Sequence, residues 1–109
     1  MNRDKAWILD IDIAAKRVMK FSSDLTKAEL ITNEEKQSAV IYQLIIIGEA
    51  TKRLSSDFRQ EHPYIDWKRA SGMRDILTHQ YDKIDFDILW NVVSHEIPAL
   101  VNSIAPLLP

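Results

Sequence analysis

A chain of 109 residues, 46% hydrophobic and 28% charged, is long enough to bury one core and too short for two. Its formal net charge of -2 means that the surface as a whole does not attract polyanions, so any contact with nucleic acid has to come from a local basic cluster. With no cysteine, disulfides, thiol catalysis and cysteine-based zinc sites are excluded together.

The start, Met1-Asn2-Arg3-Asp4-Lys5, lacks a signal-like apolar region, and no apolar run approaches the ~20 residues needed to span a bilayer. The expectation is a cytoplasmic protein, not associated with a membrane, forming a single helical domain over residues 1–109. From Arg3 to about Phe21, Ile8, Ile11, Ala15, Val18 and Met19 recur at helical spacing, with Asp10, Asp12, Lys16, Arg17 and Lys20 on the remaining arc. Ser22-Ser23-Asp24 ends that helix, and Thr26 with Glu29 can cap one short turn. Thr32-Asn33-Glu34-Glu35 reads as a capping box opening a second helix that runs to about Leu54.

The middle of that second helix, Ala39 to Ile47, is apolar nearly all round. It lacks a second strand candidate to pair with, so the better account is a helix buried on two sides, by its own bundle and by a partner subunit. Gly48 permits a close backbone approach. Glu49 then falls on an otherwise apolar helix, either facing solvent or paired with Lys52 or Arg53, or set as a supporting carboxylate beside a functional site. His62, before Pro63, reads as an exposed loop histidine without a role.

Asp66 is a candidate N-cap for a third helix running from Trp67 to about Gln80. Ala70, Met73, Ile76 and Leu77 supply its buried side, and Ser71, Arg74, Asp75, Thr78 and His79 form a polar arc of roughly 140°. Asp85 caps a last helix with apolar positions Ile88, Leu89, Val92, Val93, Ile97, Leu100, Val101 and Ile104, which Pro98 should kink. His95, near that kink, reads as structural or exposed. The chain is therefore expected to be all-α, an up-down bundle of four to five helices.

The chemistry concentrates between Arg74 and Tyr81. At about 100° per residue, Arg74 and Tyr81 differ by roughly 20° and Asp75 and His79 by roughly 40°, so two pairs form on adjacent faces. Arg74 and His79 are roughly 140° apart, so one straight helix does not aim both at a single atom. Either the helix ends near His79 or a second copy of the chain supplies the missing group. An arginine grips phosphate through a fixed fork of donors, and a histidine can take a proton from a ribose 2′-hydroxyl or return one to the leaving 5′-oxygen. Asp75 is placed to hold the His79 imidazole. These are the minimum parts for metal-independent RNA cleavage, and two-fold symmetry would double them. Asp75, His79 and Asp82 also follow i, i+4, i+7, but no firm ligand set accompanies them, and neither a metal nor a cofactor is expected. On the residues alone, a surface salt-bridge network remains the competing account.

Arg74, His79 and Tyr81 together read R-x4-H-x-Y, and with them the chain resembles the HEPN superfamily and specifically its HepT-like toxins. Ile47-Gly48-Glu49-Ala50, Pro63-Tyr64-Ile65-Asp66-Trp67, Gly72-Met73-Arg74 and Ile97-Pro98-Ala99-Leu100 fall in that family's order and spacing, so the resemblance spans nearly the whole chain. One departure is Asp75, where HepT-like sequences usually carry asparagine. The resemblance implies an endoribonuclease toxin with Arg74 and His79 as catalytic residues, to which the reading of the residues adds a homodimer, Asp75 in support and Glu49 as a candidate outer carboxylate. It also implies a nucleotidyltransferase antitoxin of the MntA type that transfers AMP onto the motif tyrosine, here Tyr81. The residues leave Tyr81 a second role as a partly buried core tyrosine. The alternative function is a non-catalytic HEPN module that docks a nucleotidyltransferase or a nucleotide.

Overall fold

The computed structural model describes residues 3–75 and 84–109. Helix α1 (Asp4–Ser22) has Asp4 in its first turn and Lys20 in its last, both signs favoured by the helix dipole. It ends where serine hydroxyls compete for the last carbonyls, Ser22 Oγ donating to Val18 O at 2.7 Å and Ser23 Oγ to Lys20 O at 3.1 Å. Helix α2 (Lys27–Thr32) opens on the expected Thr26–Glu29 capping box, Glu29 N donating to Thr26 Oγ1 at 3.2 Å and Thr26 N to Glu29 Oε1 at 3.3 Å.

Helix α3 (Glu34–Arg53) starts differently from the sequence expectation. Its cap is Asn33, whose side chain accepts from Lys36 N at 3.0 Å, rather than Thr32 in a box with Glu35. Thr32 is the last residue of α2 and its hydroxyl is spent on that helix, donating to Ala28 O at 3.2 Å. A single residue separates the two helices, so the cap role falls to Asn33. Gln37 then closes the corner by donating to Leu30 O at 2.8 Å and Ile31 O at 2.9 Å.

Helices α1 and α3 lie antiparallel. The Asp4 carboxylate, at the start of α1, accepts from Ser55 N at 2.8 Å and Ser55 Oγ at 2.7 Å just beyond the end of α3, while Lys36 of early α3 lies over the ring of Phe21. Between these ends Ile8, Ile11 and Val18 of α1 and Val40, Leu44 and Ile47 of α3 are fully buried. Each such side chain contributes about 1.5–3 kcal/mol on burial, so this seam holds the bundle together. Asp12, expected on the polar arc, is 5% exposed instead. One of its oxygens meets Lys16 Nζ at 2.9 Å, so the buried charge is paired within its own helix. The outer face of α3 is open in the single chain, with Tyr42 58% exposed and Ile45 half-buried.

Helix α4 (Ser56–Glu61) is capped by Ser55, which accepts from Phe58 N at 3.1 Å. His62, at its end, is half-buried rather than exposed, its ring 4.6 Å from that of Phe58 and edge-on to Tyr64. Helix α5 (Trp67–Gly72) has the expected Asp66 cap, accepting from Arg69 N at 2.9 Å. The single helix expected from Trp67 to Gln80 is interrupted: α5 stops at Gly72, and Met73 and Arg74 form a turn before Asp75 is again helical. Met73 N bonds Ala70 O, the tightened last-turn pattern, at a glycine that costs about 1 kcal/mol against alanine inside a helix. Ile76, Leu77, Thr78, His79, Gln80, Tyr81, Asp82 and Lys83 lie outside the described residues.

Helix α6 (Phe86–Asn91) starts on Asp85, which accepts from Asp87 N at 3.0 Å and Ile88 N at 3.2 Å. It runs into a π-turn (Val92–Glu96) and then α7 (Ile97–Ile104), closed by a 3₁₀ turn (Ala105–Leu107). The disturbance expected from Pro98 takes the form of that π-turn, since proline cannot donate to the carbonyl four residues back and Ile97 N reaches instead to Val92 O. Ile88, expected in the core, is 42% exposed, whereas Leu89, Val92, Ile97 and Ile104 are fully buried. Lys27 pairs with Asp87, fastening α2 to the start of α6. The described chain is all-α, with neither a strand nor a helix long and apolar enough to cross a membrane among the described residues.

Candidate functional site

The site assembles where α3 passes the turn that follows α5. A Cβ placed on Gly48 would sit 2.5 Å from Arg74 Cβ, 2.9 Å from Arg74 N and 3.0 Å from Ser71 O, closer than real side chains approach. Glycine at this position is therefore what lets the backbone of Arg74 lie directly on α3. One residue further along, Glu49 projects from α3 and its Oε1 meets Arg74 Nη1 at 2.8 Å. Among the described residues Glu49 thus pairs with Arg74 rather than with Lys52 or Arg53.

Lys52, one turn along the same helix, reaches toward Asp75, with Nζ 3.9 Å from Oδ1. Two consecutive residues at the end of the turn, Arg74 and Asp75, are thus matched by opposite charges three residues apart on α3. All four side chains are about 38–47% exposed, and partly solvated pairs of this kind stabilise by ~0–1 kcal/mol each. Their effect is chiefly to orient. Among the described residues the Arg74 guanidinium pairs with Glu49, and its side chain is 38% exposed, so an incoming anion can approach it. Lys52 is the participant that sequence reasoning assigned elsewhere; its i+3 offset from Glu49 was the available signal.

His79 and Tyr81 lie outside the described residues, so of the five side chains expected at the site the structure brings together Glu49, Arg74 and Asp75. The contact expected between Asp75 and His79 falls outside as well, and the same holds for the spacing of Asp75, His79 and Asp82. Among the described residues, His, Asp and Glu side chains do not gather in threes as a metal site would need.

A second polar junction braces α5 from the other side. Arg69 grips Glu96 of the π-turn in a two-pronged contact through Nε and Nη2, the latter at 2.9 Å from Oε2, and Asn91 Nδ2 reaches the same carboxylate at 3.4 Å. Hydrogen bonding to Glu96, reinforced by its charge, raises the Arg69 pKa above its already high ordinary value. Trp67, at the head of α5, donates its indole N–H to Arg59 O at 3.2 Å and His62 O at 3.0 Å. His95, by contrast, is exposed, and its Nδ1 lies 2.9 Å from the Oγ of its neighbour Ser94.

Residues 11–107 match the family model described as Ribonuclease HepT-like. A protein of Methanocaldococcus jannaschii named as a candidate RNase is 40% identical over 96 residues, covering 88% of each chain. Another from the same organism, also named as a candidate RNase, is 34% identical over 104 residues, 95% of this chain and 86% of the relative. One from Thermococcus cleftensis, named as a candidate ribonuclease HepT, is 36% identical over 96 residues, 88% of this chain and 87% of its own. No solved structure matches the chain. An all-α chain that matches the family model across nearly its whole length, with the signature arginine seated on Gly48 and Glu49, belongs to the HepT-like ribonuclease family.

Proposed function

We propose that the protein is a metal-independent endoribonuclease toxin of the cytoplasm that cleaves RNA at a composite site formed by two copies of the chain. The observation that carries this reading is the seating of Arg74: its backbone rests on Gly48, its guanidinium meets Glu49, and its side chain is partly exposed. In the reaction, the ribose 2′-oxygen attacks the adjacent phosphorus as its proton passes to one imidazole. The bond from phosphorus to the 5′-oxygen breaks, and that oxygen takes a proton from a second imidazole. Arg74 stabilises the charge that builds on the phosphoryl oxygens. His79 supplies the imidazoles, one from each protomer, which is why the active unit is a homodimer. The open outer face of α3, with Tyr42 and Ile45 running toward Glu49, is the apolar surface such a pairing would cover.

Neutralisation follows from the signature tyrosine. A nucleotidyltransferase antitoxin of the MntA type directs the Tyr81 hydroxyl onto the α-phosphorus of ATP. A phenol-oxygen to phosphorus bond forms, pyrophosphate leaves and the phenol proton is lost. The added phosphate charge then competes for Arg74 and blocks RNA. A second reading, a HEPN module that docks its nucleotidyltransferase without cutting, is favoured by Asp75 standing where the family usually has asparagine. Expression in a bacterial host separates them. Wild type should arrest growth while Arg74→Ala and His79→Ala should not, and equal growth of all three would end the nuclease reading.

A further inference from the structure

The cluster around Trp7 lies outside the site described above. Trp7, in the second turn of α1, has two guanidinium groups on its indole: Arg3 Cζ lies 5.3 Å and Arg53 Cζ 5.0 Å from the ring centroid. Such contacts hold long arginine side chains in place without using their N–H donors. Neither arginine forms an ion pair with a carboxylate among the described residues. Both border an open cavity of about 570 Å³, also lined by Asp4, Trp7, Ser55, Asp57, Phe58 and Glu61.

The position of Arg53 gives this cluster its meaning. It follows Glu49 by four residues on α3, one helical turn or about 6 Å along the axis, and so lies on the same side of the helix as the carboxylate that orients Arg74. A strand whose scissile phosphate sits at Arg74 and which runs along the end of α3 therefore meets Arg53 and then Arg3. With an overall charge of -2, a polyanionic substrate is drawn by local cations such as this pair. Asp57 and Glu61, both exposed, and the buried Asp4, whose carboxylate accepts from Ser55, border the cavity and work against the attraction.

We propose that Arg3 and Arg53, held on Trp7, form an auxiliary phosphate site for the single-stranded RNA backbone flanking the bond to be cut. The inference deepens the ribonuclease reading and rests on it.

The test is binding of a fluorescent single-stranded 2′-O-methyl oligonucleotide, which lacks the free 2′-hydroxyl and cannot be cleaved, followed by anisotropy over a range of salt. The Arg3→Gln/Arg53→Gln variant should bind about tenfold more weakly, since removing charged donors of this strength costs a decade of affinity. Its slope of log affinity against log salt should be shallower by about 1.4, roughly 0.7 for each phosphate left without its arginine. Arg3→Lys/Arg53→Lys should keep most of the slope, and Asp57→Asn should bind more tightly. Unchanged affinity and slope in the Gln variant, with the same helical circular dichroism as wild type, would overturn the proposal, and so would a wild type that does not bind the oligonucleotide. Cleavage of a dinucleotide with a single phosphodiester, assayed in parallel, reports on the ribonuclease reading separately, because such a substrate has no second phosphate for Arg53 to hold.

Discussion

Glu49 Oε1 and Arg74 Nη1 meet at 2.8 Å across the junction of α3 with the turn after α5, directly beside a glycine that leaves no room for a Cβ. The two features act together: Gly48 sets where the Arg74 backbone lies, and Glu49 sets where its guanidinium points.

Gly48→Ala tests the first of these. Alanine is the better helix former by about 1 kcal/mol, which favours the variant. Against this stands a Cβ 2.5 Å from Arg74 Cβ and 2.9 Å from its backbone nitrogen, atoms that cannot swing aside as a flexible side chain would. Overpacking of this kind costs about 1–3 kcal/mol, so the net expectation is a Tm lower by roughly 5–10 °C together with reduced RNA cleavage. A Tm at or above that of wild type in differential scanning calorimetry would show that the junction relaxes freely.

Glu49→Ala tests the second. The pair is partly solvated, so its loss should change stability by less than ~1 kcal/mol. The guanidinium loses its anchor, and kcat should fall about tenfold, the effect of a modest misplacement of a transition-state contact. A normal kcat in Glu49→Ala would remove the orienting role and leave an ordinary surface pair.

The Arg69–Glu96 junction makes a prediction about pH. Hydrogen bonding to Glu96 and its charge raise the folded-state pKa of Arg69, so the arginine's contribution to stability is complete below its unfolded pKa and is lost only when pH rises through the still higher folded value. Between about pH 6 and 10 that contribution is flat. Glu96→Gln should lower stability by about 0.5–1 kcal/mol, given the half-exposed arginine, and by the same amount across this range. Denaturant midpoints at pH 6, 8 and 10 check it; a destabilisation that disappears by pH 9 would contradict it.

The caps give a local prediction. Asp85 accepts from two backbone amides, and Asp85→Ala should cost about 1 kcal/mol, read as a lower urea midpoint at unchanged m. Asp85→Asn should recover most of that loss.

Much of this architecture is legible in the chain because it is encoded locally. Thr26 with Glu29, Asp66 and Asp85 announce helix starts through residues two to three apart, and Gly48 announces close packing simply by lacking a side chain. Periodicity is weaker where neighbours compete. The capping-box pattern assigned the capping role to Thr32, whose hydroxyl is taken by the helix it ends, and periodicity extended one helix through Gly72, where the chain turns. Contacts between residues distant in sequence were out of reach: Arg69 with Glu96 spans 27 positions, and the burial of Asp12 depends on which face of α1 the other helices cover. At the site, Arg74, Asp75 and Glu49 were identifiable by type and spacing, but which partner Glu49 would take depends on where α5 ends, a tertiary matter.

RNA cleavage in the presence of a strong chelator, by purified wild type and by Arg74→Ala of equal Tm, tests the central claim most directly. Wild type should cut and leave a 2′,3′-cyclic phosphate, and the variant should lose at least a hundredfold in rate, the scale on which removing a charge-stabilising donor acts. Cleavage that stops with the chelator, or that proceeds equally in the variant, would contradict the account.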